Sequence, residues 1–133
     1  MLRNYDAWLA FLASQRTAPF SWTAPNHCVS FAAASSKALT GKDLLAGFEA
    51  SFSDEAAARA YLEGLGGIEA VVDKLLTPLP LAHAHRGDIA LVVDEAGMTA
   101  LAVIEGMTLV GPGQAGLRRL PRAMATKAWS ITA

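Results

Sequence analysis

The only cysteine of the chain, Cys28, stands at the predicted start of a helix. Pro25 and Asn26 precede it as turn formers, with Asn26 as the expected N-cap, and the alanines at 32–34 follow as helix formers. Free amide groups and the positive end of the helix dipole stabilise a thiolate in the first turn of a helix. The position therefore favours Cys28 as a nucleophile, against the alternative that it is a small buried hydrophobic residue.

A nucleophilic cysteine needs a base, and the chain offers three histidines, His27, His83 and His85. His27 directly precedes Cys28, and neighbouring residues on a helix point about 100° apart, so it is poorly placed to act as a base. His85 is the second candidate, although no spacing ties it to the cysteine. If the site is active, we expect Cys28 as the nucleophile and His85 or His27 as its base.

His83 and His85 also raise the alternative of a metal site, because residues two apart in an extended segment point to the same side. With Cys28 they would offer three ligands to a zinc ion. The neighbouring prolines fix no geometry for such a site. The sequence therefore predicts no metal and no other cofactor.

Composition limits the classes of function. The 133 residues carry 11 basic and 12 acidic side chains, a net charge of -1, which gives no electrostatic case for nucleic acid as a partner. One cysteine excludes a disulfide framework, so folding must rest on packing, as suits a reducing compartment. No apolar stretch approaches the roughly 20 residues of a membrane span, and Asp6 argues against a secretory signal. We expect a soluble protein with a single domain over residues 1–133.

Apolar residues recur with helical spacing in the first half of the chain, residues 1–77. An extended segment around Pro78 and Pro80 is expected to close this half. Four helices are predicted: one capped by Asn4 with Tyr5, Trp8, Leu9 and Leu12 on its apolar face, one from Cys28 to a stop at Gly41, one starting at Ser53 to Glu55, and one from Ile68 to Leu76.

Residues 86–133 change to short β-branched runs between turn residues, which is typical of strands. The connections Asp94–Gly97 and Glu105–Gly106 are short enough for antiparallel hairpins. A loop is expected at Gly111–Gly116 and a helical turn at Pro121–Thr126. The predicted strands are Asp88–Val93, Thr99–Ile104, Met107–Val110, Leu117–Leu120 and Ala128–Ile131. The predicted class is α+β, with N-terminal helices packed on a small antiparallel sheet or partial barrel.

Two further features receive structural interpretations. Basic side chains cluster near the C-terminus, and we expect a solvated face rather than a contact with an acidic partner. The glycine-rich loop at 111–116 lacks the Lys-Ser/Thr of a phosphate-binding loop, and Asp88 is expected only to begin a strand. The basic residues are Arg118, Arg119, Arg122 and Lys127.

Two segments together resemble the papain-like NlpC-type cell-wall peptidases. They are Asn26-His27-Cys28 at a helix start, preceded by Trp22, and Arg86-Gly87-Asp88 at the opening of a sheet. Nearly the whole chain is also similar to a small uncharacterised family encoded in the tail modules of tailed phages, prophages and gene transfer agents. The residues that carry this similarity are His27-Cys28, Arg86-Gly87-Asp88, Ala100 to Val103 with Gly106, Gly116-Leu117, Leu120-Pro121 and Ala128-Trp129.

The resemblance implies an NlpC-type papain-like fold, with Cys28 as nucleophile and a histidine on the second strand as its base. That strand, Thr99–Ile104, contains no histidine. Without it the usual Cys–His pair cannot form, and a thiolate alone has no acid to protonate a leaving amine.

The expected function is therefore a structural component of a phage-type tail tip or baseplate, built on a degenerate cysteine-peptidase-like domain. Its expected partners are other tail-tip or baseplate proteins, with peptidoglycan as a further one, and its expected place is the virion tail or the assembly in the host cytoplasm. The alternative is an active cysteine peptidase or amidase that acts on peptidoglycan during cell-wall penetration.

Overall fold

The structure, a computed structural model, describes residues 3–43, 46–93 and 97–132. Over these ranges the chain forms four α-helices followed by a six-stranded antiparallel open sheet, which confirms the predicted α+β class. The helices are α1 Tyr5–Ser14, α2 Cys28–Thr40, α3 Glu55–Gly64 and α4 Ile68–Leu75. The strands are β1 Thr77–Leu79, β2 Ile89–Val93, β3 Thr99–Ile104, β4 Thr108–Gly113, β5 Gly116–Pro121 and β6 Ala125–Ser130.

Helix α2 begins at Cys28, as predicted, but its N-cap is His27 rather than Asn26. The side-chain amide of Asn26 instead donates to two carbonyl oxygens of the preceding loop. Gly41 ends the helix as predicted, in a left-handed conformation with φ of 78° that favours glycine. Cys28 is consequently fixed as the first residue of a helix with defined ends.

Helix α1 buries one side of its surface. Asn4 caps it as predicted, and Trp8 is fully buried. Leu9, predicted on the same apolar face, is 51% exposed, and Phe11 packs against the core instead. The indole of Trp8 donates to Ser35 Oγ of α2 at 2.8 Å, so a hydrogen bond as well as apolar contact joins the two helices.

Helices α3 and α4 follow one another across Gly66 and Gly67. Both glycines have positive φ, 98° and 97°, which breaks the helix between them. Asp54 caps α3, and α4 turns Ile68 and Val72 into the core. None of the described helices has the length and hydrophobicity needed to span a membrane.

The sheet has the order β1-β6-β2-β3-β4-β5. Strands β2 to β5 form the predicted meander, and β6 returns to pair with β2. The Pro78 segment, predicted only as extended, pairs with β6 as an edge strand. The loop predicted at 111–116 contains only Gln114 and Ala115 in the structure, because β4 and β5 pair as far as Gly113 and Gly116. The predicted connection Asp94–Gly97 lies outside the described residues except for Gly97.

Both faces of the sheet are apolar. The helices pack on the face that carries Leu101 of β3 and Trp129 of β6, and Cys28 is a partly buried neighbour of this core. The opposite face consists largely of small residues, among them Ala90 and Ala102. Because strand residues alternate between the two faces, Leu101 and Ala102 belong to different cores.

Asp88, expected only to begin a strand, is buried within a network of hydrogen bonds. Its carboxylate pairs with Arg3 at 2.7 Å, with a side-chain exposure of 0% for the aspartate and 10% for the arginine. It also accepts from the backbone amide of His85 at 2.8 Å. Gly87 beside it has φ of 96°, and a Cβ there would overlap the side chain of Leu39. This motif therefore joins the N-terminal segment to the sheet.

The basic residues predicted as a cluster are dispersed in the structure. Arg119 pairs with Glu105 at 2.8 Å, and Lys127 pairs with Asp73 at 2.7 Å. Arg122, in the predicted helical turn, donates to three backbone carbonyl oxygens. These side chains hold parts of the fold together instead of forming one cationic face.

Candidate functional site

A groove of about 1020 Å³ lies beside Cys28. Its walls are formed by the start of α2, by α3 and α4, and by strands β3 and β4. Aromatic and apolar side chains make up much of the lining near the cysteine. They include Phe20, Trp22, Phe52, Tyr61, Leu62 and Leu101.

The groove opens where β3 and β4 diverge. The two strands pair only over residues 103–104 of β3 and 109–110 of β4. The next residue of β4 that would face β3 is Pro112, which has no amide hydrogen to continue the ladder. Beyond it, Gly113 accepts a hydrogen bond from the amide of Phe20 at 2.8 Å, so the end of β4 pairs with the segment before α2. Proline in a predicted loop was the sequence signal for this opening.

Cys28 projects from the first turn of α2 against β3. The backbone groups of Leu101, Val29 and Cys28 itself lie near the sulfur and favour the thiolate. Burial nevertheless raises the pKa of the Cys28 thiol, because desolvation disfavours the thiolate by more than these groups stabilise it. The stabilisation predicted from the helix start is therefore outweighed, and the neutral thiol is the stable form at neutral pH.

His27 acts as a structural cap. Its Nδ1 accepts from the amide of Ser30 at 3.4 Å, and its Nε2 donates to the carbonyl oxygen of Ala50 at 2.6 Å. A carbonyl oxygen can only accept and a backbone amide can only donate, so the ring is neutral with its proton on Nε2. The residue is 1% exposed, and burial lowers the pKa of His27, although the bond to Ala50 acts in the opposite direction. Since both nitrogens are engaged, His27 has no free lone pair to accept a proton from Cys28.

A row of aromatic rings lines the groove next to His27. Trp22 stacks on the imidazole with ring centroids 5.3 Å apart, and Phe52 lies 5.6 Å from it. Phe20 is 4.7 Å from Trp22 and Tyr61 is 5.5 Å from Phe52, which extends the row at both ends. Phe20 and Trp22 lie in the same segment as His27, but Phe52 and Tyr61 come from a later part of the chain, so the sequence gives no sign that the row is continuous.

The other two histidines lie outside the groove. His83 and His85 are exposed in the connection between β1 and β2, and neither lines the groove. Ala84 between them packs on the sheet face opposite to the core that contacts Cys28. No group of three or more His, Cys, Asp or Glu side chains in residues 3–43, 46–93 and 97–132 is arranged to hold a metal ion. The structure therefore does not place His85 next to the thiol of Cys28. It also does not bring His83, His85 and Cys28 together as metal ligands.

Leu101 occupies the position on β3 beside the thiol. It is 4% exposed, and its side chain belongs to the core beneath α2. Thr99, two residues earlier, lies on the same face of β3 and also lines the groove. Neither residue can act as a general base at neutral pH, so the histidine-free sequence of this strand leaves the thiol without the acid–base partner that the resemblance implies.

The fold and the site define an α+β domain with a thiol-lined groove and no catalytic Cys–His pair among its described residues. The chain belongs to the family of the domain of unknown function DUF6950, whose model matches residues 2–131. A comparison with curated proteins found no match. The family match spans both the helices and the sheet, including the start of α2 and the diverging strands.

Proposed function

We propose that this chain is a non-catalytic structural component of a phage-type tail tip or baseplate, built on a degenerate papain-like, NlpC-type domain. The observation that carries the proposal is the surroundings of Cys28. The cysteine lies at a helix start beside a groove, as a nucleophile would, but Leu101 packs against it where a base is needed.

Amide hydrolysis by a cysteine requires a thiolate to attack and an acid to protonate the leaving amine. Burial raises the pKa of the Cys28 thiol, so the first requirement is opposed. His27 is bound through both ring nitrogens, so the second is not met by the nearest imidazole in the sequence. A groove of this kind suits holding a ligand more than cleaving one.

The motifs that carry the resemblance to tail-module proteins have structural roles in this chain. His27 caps α2, and Gly87 and Asp88 join the N-terminal segment to the sheet. These roles shape the domain without contributing chemistry. This supports a domain that serves in an assembly through its shape.

The proposal is tested in cells that produce the tailed particles encoded with this chain. Particles made without the chain are expected to have incomplete tail tips by negative-stain electron microscopy and to lose infectivity or transfer. A Cys28→Ala variant is expected to restore both to wild-type levels. If Cys28→Ala folds normally but does not restore them, the non-catalytic assignment is wrong.

An active cysteine peptidase or amidase acting on peptidoglycan is the second candidate, and the groove beside the thiol is the observation that favours it. Purified protein incubated with peptidoglycan stem peptides tests this directly, with Cys28→Ala as the matched control. Cleavage by the wild type and not by Cys28→Ala would establish this function in place of the first. In that case His85→Ala and His27→Asn, which keeps a helix cap, would identify the base.

A further inference from the structure

We propose that the open edge of β3 binds an extended segment of a partner protein, which adds a strand in the groove beside Cys28. The inference rests on the proposed function, because it names the kind of partner that such a structural component would hold. It depends on three features of the groove: the direction of the β3 backbone groups, the lining, and the charges of the rim.

The backbone groups of alternate β3 residues point into the groove. The amide of Ile104 donates to the carbonyl oxygen of Asp88 at 2.9 Å, so Ile104 faces the side of β2. Residues at odd positions face the other neighbour, which places the backbone groups of Thr99 and Leu101 on the groove side. The effect of the Leu101 backbone on the Cys28 thiol agrees with this direction.

The described pairing with β4 does not extend to three of these groups: the amide and the carbonyl of Thr99, and the carbonyl of Leu101. The ladder to β4 stops before it reaches them, and Pro112 on the far side cannot donate. An extended peptide carries donors and acceptors at the spacing of these groups, so it can satisfy them as an added strand. A rigid small ligand lacks this regular alternation of backbone donors and acceptors.

The side chains that line the groove and its rim indicate which residue types a partner segment should carry. The aromatic row suits apolar side chains on one side of the segment. Glu49 and Glu63 line the groove without an ion-pair partner among the described residues, whereas Glu55 of the same wall is paired with Arg59 at 2.8 Å. A segment with alternating apolar residues and a basic residue on the α3 side therefore fits best.

The probe for this site is an acetylated and amidated hexapeptide, Lys-Thr-Val-Thr-Val-Thr, in which the lysine and the valines point to the same face. In NMR titrations the amide resonances of Thr99 and Leu101 are expected to shift and saturate, and hydrogen exchange of the Thr99 amide is expected to slow. A peptide with glutamate in place of lysine should bind about fivefold more weakly, as for the loss of one partly exposed charge pair. A peptide methylated on alternate amide nitrogens should not bind.

A matched pair of glycine variants locates the site. Gly111 lines the groove and Gly64 does not, and a Cβ at either position meets nothing within 4 Å. Gly111→Phe is expected to abolish binding of the probe, and Gly64→Phe to bind it like the wild type, with both variants folded by circular dichroism. Binding unaffected by Gly111→Phe, shifts confined to another surface, or no binding at all would overturn the inference.

Failure here and failure of the proposed function are distinguishable. If the peptide does not bind but Cys28→Ala still restores the tail tips, the groove is not the contact surface. The proposed structural role would then still stand. Concentration-dependent dimerisation that shifts the same amides would replace the partner segment by a second copy of the chain. Cleavage of the probe by the wild type would instead contradict the non-catalytic assignment.

Discussion

Leu101 of β3 packs against Cys28, and its backbone lies near the sulfur, where it favours the thiolate. A cysteine peptidase needs an imidazole within hydrogen-bond reach of that sulfur. The contact stabilises a thiolate only weakly against the cost of burial, and a backbone amide cannot accept the thiol proton. Its chemical consequences are open to direct measurement.

Alkylation of Cys28 by iodoacetamide is expected to be slower in the folded chain than in the urea-unfolded chain at neutral pH. The reason is that only the thiolate reacts, and burial raises the pKa of the Cys28 thiol above its ordinary value of 9.0. Mass spectrometry of timed samples over a pH series measures the rate, and Cys28→Ala gives the unlabelled background. Faster labelling of the folded chain at neutral pH would contradict this protonation state.

A histidine introduced at Leu101 tests whether β3 is where the missing base belongs. In Leu101→His an imidazolium beside the sulfur favours the thiolate, so alkylation at neutral pH is expected to be faster than in Leu101→Asn. The asparagine is a polar control without a charge. Each variant should lose about 2 to 4 kcal/mol of unfolding free energy, because a buried leucine is removed. Equal alkylation rates in the two variants would show that position 101 is not where a base could act on Cys28.

Much of the fold could be predicted from local patterns, and the errors have identifiable causes. The strand Thr99–Ile104 was predicted with its observed bounds because β-branched runs and turn residues are local signals. The cap of α2 was assigned to Asn26 because asparagine is a common cap, but its amide is occupied by loop carbonyls and His27 takes the role. Strand β1 was missed because Pro78 lies within it and its partner in the described sheet, β6, is about fifty residues away in the sequence.

The site could be predicted only in part. The position of Cys28 follows from local turn and helix signals, and the structure places it there. Its protonation does not follow, because burial by β3 is a tertiary contact that outweighs the local effect of the helix start. Pro112 was visible in the sequence, but its effect on the β3–β4 ladder depends on which residues of β4 face β3.

The buried ion pair between Arg3 and Asp88 gives a prediction for stability. Asp88→Asn is expected to reduce the unfolding free energy by about 3 kcal/mol, because the guanidinium, 2.7 Å from the carboxylate, is left without its counter-charge. The double variant with Arg3→Met should lose less than the sum of the two single variants. Urea unfolding measures all four proteins, and additive losses would show that the pair is not coupled.

The titration of His27 gives a prediction for pH dependence. Burial lowers the pKa of His27 below its ordinary value of 6.5, because desolvation disfavours the charged ring by more than the bond to Ala50 favours it. The unfolded chain therefore binds this proton first, so the stability that His27 contributes is present above pH 6.5 and is lost as the pH falls through the lower, folded pKa.

His27→Asn keeps a side chain that can cap α2 and removes the titrating ring. The unfolding free energy of the wild type minus that of His27→Asn is expected to fall on acidification, with a slope of at most about 1.4 kcal/mol per pH unit for one proton. Urea unfolding over a pH series measures this difference, and NMR of the ring carbons follows the protonation itself. Because the acidic side chains are common to both proteins, their contributions largely cancel in the difference. A difference that does not change with pH would contradict the lowered pKa of His27 in the folded chain.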